Sequence, residues 1–125
     1  MITVFDIVTE VYSILHTGGC ANVEKGDKPV DVQEDEYITI NTLQANQTPV
    51  RDCPVNVNFH CKDLFPEKRI SNDARLEEMT DFIIGLLEGS NTNGIDLELV
   101  FHHTLKDENI PQHYVNIRFI ARYTD

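Results

Sequence analysis

Apolar positions along this chain follow two rhythms, one near 3.6 residues and one of 2, and the switches between them outline its elements. Val4, Ile7, Val8, Val11, Ile14 and Leu15 recur at helical spacing, which predicts an amphipathic helix over roughly Thr3 to His16. Gly18-Gly19 should end it, because glycine takes the left-handed conformation that a helix C-cap uses. Cys20 to Val23 reads as a short strand. Glu24 to Glu36 is acidic and contains a proline, so a loop is expected, with a brief extended piece at Val30 to Val32. Glu36 to Leu43 is rich in β-branched residues and reads as a strand. Gln44 to Asp52 shows no periodicity and is expected to be a loop or the tip of a long hairpin.

Cys53 to Asp63 alternates cleanly: Val55, Val57, Phe59 and Cys61 should face a core, with Asn56, Asn58, His60 and Lys62 pointing away. Leu64 to Ile70, with Pro66 inside it, is a connector. Asn72 or Asp73 can cap a second helix whose buried stripe would be Leu76, Met79, Phe82, Ile83, Leu86 and Leu87. Gly89 to Gly94 stops that helix. Ile95, Leu97, Leu99 and Phe101 then start an alternating strand that runs to about Leu105, and Lys106 to Gln112 turns the chain. The last strand, Tyr114 to Tyr123, is legible on both faces. Val115, Ile117, Phe119, Ala121 and Tyr123 form a core face. Tyr114, Asn116, Arg118, Ile120 and Arg122 form the other, whose mixture of Tyr, Ile and Arg is that of a protein contact surface.

Short connections between neighbouring strands favour antiparallel pairing. The expected fold is α+β: an antiparallel or mixed sheet of four to five strands with two helices packed on one face, in one domain spanning 1–125. The opposite face would carry Thr39, Asn41, Asn56, Asn58, His60, Glu98, Asn116, Arg118 and Arg122, a polar but weakly charged set.

The chain has 125 residues, enough for one sizeable core, and 41% of them are hydrophobic, which argues against disorder. A formal charge of −11 argues against binding a phosphate backbone, which takes clustered Lys and Arg. No apolar run is long enough to cross a bilayer, and the opening residues lack the basic start and cleavage site of a signal peptide. Production in a cytoplasm is therefore expected, and the three cysteines, an odd number, should be reduced.

Candidate chemistry is sparse. Cys53 and Cys61 lie about 25 Å apart along one strand and His60 points away from Cys61, so zinc ligation is rejected in favour of two core thiols and a surface histidine. His102, His103 and His113 flank one turn, and one of the first two could approach His113 if the last strands pair. No carboxylate partner is evident, and solvated strand-end histidines are the ordinary reading. The acidic stretch Glu24, Asp27, Asp31, Glu34, Asp35 and Glu36 lacks the spacing and central glycine of a calcium loop. Phosphate-binding and nucleophile-elbow motifs are absent, and no cofactor is implied.

Element order and strand texture do resemble one group. The opening helix, the Tyr37-Ile-Thr-Ile40 strand after an acidic loop, the Val55-Asn-Val-Asn-Phe-His60 strand, the helix with Arg75-Leu-Glu-Glu-Met79 and the terminal Tyr114-Val-Asn-Ile-Arg-Phe-Ile-Ala-Arg-Tyr123 strand together look like the tail-terminator or tail-completion proteins of long-tailed phages. The resemblance implies a virion structural protein without enzymatic activity. It would form a ring, a hexamer by analogy, at the head-proximal end of the tail tube. Its partners would be copies of itself, the tube protein and the head connector, with DNA passing unbound and no membrane involved. Localisation would be the tail or neck of the virion. Asp31, Glu34, Asp35 and Glu36 would then be channel-lining candidates, and Tyr114, Arg118, Ile120 and Arg122 subunit-contact candidates. Competing readings are a head–tail adaptor, a small dimeric α+β enzyme using a strand-end histidine, and a monomeric inhibitor binding through its long loops.

Overall fold

A computed structural model describes residues 3–26, 34–42 and 52–123. The first helix, α1 (Val4–Thr17), starts on a reciprocal cap: the Asp6 N–H donates to the Thr3 hydroxyl, and the Thr3 N–H donates to the Asp6 carboxylate at 2.8 Å. Its apolar spacing buries Val4, Ile7, Val11 and Leu15. The two glycines after it have separate jobs. Gly18 is still right-handed (φ −74°), and the left-handed residue is Gly19 at φ 95°. Gly18 is favoured by packing instead: a Cβ there would stand 2.6 Å from Leu86 Cδ1 and 3.1 Å from the Ile14 carbonyl oxygen. At this point an added methyl group would have to push the Leu86 side chain aside and would crowd the Ile14 carbonyl.

The sheet has six strands where four to five were expected: β1 (Val23–Lys25), β2 (Glu36–Thr42), β3 (Asp52–Lys62), β4 (Asn91–Thr92), β5 (Ile95–Lys106) and β6 (Gln112–Tyr123). Their order is β1-β2-β3-β6-β5-β4. All neighbours are antiparallel except β1 and β2, which run parallel, so the sheet is mixed. The strand expected at Cys20 to Val23 begins where that stretch ends. The extended piece expected at Val30 to Val32 lies outside the described residues, as does nearly all of the loop read over Gln44 to Asp52, whose last residue opens β3. The connector at Leu64 to Ile70 folds into a short 3-10 turn (Pro66–Lys68) closed by a bridge between Phe65 and Ile70.

The second helix, α2 (Asp73–Leu87), is capped by Asn72, whose side chain accepts from the Arg75 N–H. It buries Leu76, Thr80, Ile83 and Leu87, while Phe82, expected inside, is 44% exposed. Thr80 can take a core position because its hydroxyl donates to the Leu76 carbonyl at 2.7 Å, which removes the cost of burying it. Both helices pack on the face formed by Ile38, Ile40, Val55, Val57, Phe59, Ile95, Leu97, Val115, Ile117, Phe119 and Ala121. The two-residue rhythm named that face correctly except in β5. There Leu99 pairs with Phe119 and Phe101 with Arg118, leaving Val100 as an extra residue. This bulge turns Phe101 to the sheet's other face, against expectation, and brings His102 and Thr104 to the helix side.

Candidate assembly face

Among the described residues no helix covers the second face of the sheet, and its side chains are organised in rows set by the strand register. One row runs Asn41, Asn56, Arg118, Phe101; the next runs Thr39, Asn58, Asn116, His103; a third runs Tyr37, His60, Tyr114, Leu105. Directly opposed residues on one face touch, so the register creates the contacts.

The first two rows form a hydrogen-bonded ladder across β2, β3 and β6. The Asn56 amide donates to the Asn41 oxygen at 3.1 Å, and the Asn56 oxygen accepts from Asn116 at 3.2 Å and from Arg118 Nε at 2.9 Å. Asn116 also donates to Asn58 at 2.6 Å. The Arg118 guanidinium lies 5.1 Å from the Phe101 ring centroid, a cation–π contact made possible by the bulge. At the end of the face Arg122 bridges Asp52, at 3.1 Å, and Glu98.

The third row is a stack. The His60 ring lies 4.2 Å from Tyr37 and 5.0 Å from Tyr114, and its Nε2 is 3.0 Å from the Thr39 hydroxyl. Expected at the surface, His60 is 5% exposed, because two aromatic rings sandwich it. The Gln112 amide ties this stack to the turn, donating to the Tyr37 hydroxyl at 2.7 Å and to the Asp107 carboxylate at 3.1 Å. Asp107 in turn accepts from the backbone N–H groups of Asn109 and Ile110, which fixes the β5–β6 turn.

The remaining histidines do not converge. Register sets His113 opposite Lys106, and His102 and His103 lie three to four positions further along β5, pointing to opposite faces. His113 nonetheless has a carboxylate partner that the sequence did not reveal: its Nδ1 is 2.6 Å from Asp63 Oδ1, on the residue that follows β3. Asp63 is fully buried, with Arg69 Nε 3.7 Å from its other oxygen. Arg69 adopts a left-handed backbone (φ 56°) and also donates to the Asp107 carbonyl. This cluster anchors the 3-10 turn to the end of the sheet.

Of the four acidic candidates, Glu34 and Asp35 are exposed just before β2, and Asp31 lies outside the described residues. Glu36 is not a free carboxylate. It is gripped by Arg75 through two bonds, Nε at 2.7 Å and Nη2 at 2.9 Å, and this pairing pushes the Arg75 guanidinium pKa up. Of the four contact candidates, Tyr114, Arg118 and Ile120 are half-buried in the open face and Arg122 is exposed. Phe101 joins them unforeseen, since a one-residue bulge leaves no mark in an alternation pattern. Cys20, Cys53 and Cys61 are buried and unpaired with one another. Burial, with Glu36 close by, pushes the Cys61 thiol up to about 11.

An α+β layer with one helix-covered face and one open, internally bonded polar face is the class that the fold defines. A chain from the virion of a native gene transfer agent particle shares that fold, with a TM-score of 0.62 and 12% identity over 90% of each chain. No protein-family model and no curated protein sequence matches this chain.

Proposed function

We propose that this protein is a structural subunit of a phage-like virion, and within that class a tail-terminator or tail-completion subunit that closes into a ring at the head-proximal end of the tail tube. The observation that carries this reading is the fold shared over 90% of both chains with a component of a virion particle. The open sheet face supports it. A face whose amides and guanidinium are already bonded to one another is rigid before contact, so it can meet a neighbour with little loss of side-chain freedom. Tyr114, Arg118, Ile120 and Arg122, joined by Phe101, are the proposed contact residues. Tyr and Arg are the residue types that concentrate binding energy at such surfaces.

The acidic segment would face the channel. Asp31, Glu34 and Asp35 would repel DNA in transit, whereas Glu36, neutralised by Arg75, would add less to that field. Tail tube protein and head connector would be the axial partners, and the site of action the tail or neck of the particle. Among the described residues no helix is long and apolar enough to cross a membrane. No step of this function needs catalysis or a cofactor.

Native mass spectrometry with negative-stain electron microscopy tests the proposal. A closed ring with a central hole is expected, and Arg118→Glu should leave the fold intact while shifting the mass to the monomer. A ring that forms unchanged in Arg118→Glu would remove the open face from the contact. Labelled subunits found at the portal side of the neck instead of the tube end would make the protein a head–tail adaptor.

A further inference from the structure

Strand β5 is the edge of the sheet over most of its length. Strand β4 covers only Ile95 and Asp96, and Leu97 is bonded to Gly89 and Ser90. Beyond that point no described strand pairs with its outer side, and every residue from Val100 to Lys106 is exposed. An uncovered edge offers a row of free N–H and C=O groups, and chains usually blunt such rows with charge or proline. Here Val100 (49% exposed), Phe101 (37%) and Leu105 (37%) stand on it, and the one charged residue, Lys106, comes at its end. In a chain of net charge −11, the run from Val100 to Lys106 holds no acidic residue.

The helix side of this edge is the opposite in character. A groove of about 500 Å³ separates α2 from β5, with His102 and Thr104 on its sheet wall and Asp73, Glu77 and Asp81 on its helix wall. These three acids follow at four-residue spacing, so they share one side of α2, where like charges repel. Asp73 suits the helix N-terminus and bonds Ser71. Glu77 and Asp81 have no counter-ion among the described residues.

We infer that the β5 edge receives an extended segment of another protein in which basic and apolar residues alternate. Such a segment would add a seventh strand beside β5. Its side chains alternate between faces, so one set, Lys or Arg, would enter the groove toward Glu77 and Asp81. The other set, apolar, would pack beside Phe101 and Leu105 on the open face. A second copy of this chain matches the two acids less well. An antiparallel β5–β5 pair would offer that side one lysine, Lys106 at the strand's end, besides His102 and Thr104, where the inferred segment would offer a basic residue at every second position. The inference goes beyond the virion reading and does not require a ring.

Hydrogen–deuterium exchange on the whole protein tests it, using a short synthetic peptide of alternating lysine and valine and a control of alternating glutamate and valine. The lysine peptide should protect amides of Leu99 to Lys106 and the control should not. A Glu77→Lys, Asp81→Lys double variant, with circular dichroism unchanged, should weaken binding by about tenfold, as expected for losing charge-assisted bonds. No protection by the lysine peptide, equal protection by both peptides, or protection elsewhere would overturn the proposal. So would protection of β5 that grows with protein concentration alone, which would make the occupant a second copy.

Discussion

Cys61 shows how one side chain couples this fold to pH. Its thiol faces the helix side of β3, sealed from water, with the Glu36 carboxylate next to it. Both burial and that negative charge disfavour the thiolate, so its pKa climbs from the ordinary 9.0 to about 11. The folded protein therefore holds this proton more tightly than the unfolded chain does. Its stabilising contribution is complete below pH 9 and is lost as pH rises through about 11. Burial pushes the Cys20 and Cys53 thiols and the Tyr37 hydroxyl in the same direction. Thermal unfolding midpoints should accordingly fall across that alkaline window, and Cys61→Ala should flatten the decline. At neutral pH all three thiols should resist alkylation until the protein unfolds.

At the scale of elements, two glycines make opposite predictions. Gly18→Ala should destabilise by about 1 kcal/mol, the low end for overpacking, since the added methyl group crowds the Ile14 carbonyl and makes the half-buried Leu86 side chain turn aside. Gly85 lies exposed in the last turn of α2 with open space around it, so Gly85→Ala should stabilise by about 0.5 kcal/mol, part of the helix-interior propensity difference. Denaturant titration of both variants checks the pair. The helices themselves were legible because burial on one side imposes its own period: α1 matched to within a residue at each end. The α2 stripe was less so. Hydrophobicity ranks Phe82 above Thr80, but a threonine bonded to its own helix is no longer polar in effect, and Phe82 is left in solvent. The bulge in β5 was illegible for a different reason, since nothing about Val100 as a residue marks it as the one without a partner.

For the molecule as a whole, charge sets the terms of association. In the ring proposed above, subunits each carrying −11 would have to overcome mutual repulsion that salt screens over about 10 Å at 0.1 M. Raising ionic strength, or adding millimolar magnesium, should move the mass in solution toward the closed ring. A mass independent of both would mean that the contact surfaces alone decide assembly. The layered α+β plan followed from the sequence because the alternation in the strands, β5 beyond its bulge excepted, pointed the same way. The open face was readable as a list of residues but not as a structure. Whether Asn56, Asn116 and Arg118 meet depends on the register of β3 against β6, strands separated by half the chain. The Asp63–His113 pair depends on that same register, which no local pattern encodes.

The bulge at Val100 also bears on how this chain can vary in length. Removing one residue from the interior of β3 or β6 would exchange the two faces for everything beyond the cut, setting asparagines into the core and valines into the open face. Removing Val100 would do neither, because Leu99 and Phe101 already face opposite ways across it. Within the long strands it is the position where a single-codon deletion leaves the parity of inside and outside intact, so it is where natural relatives should be found one residue shorter.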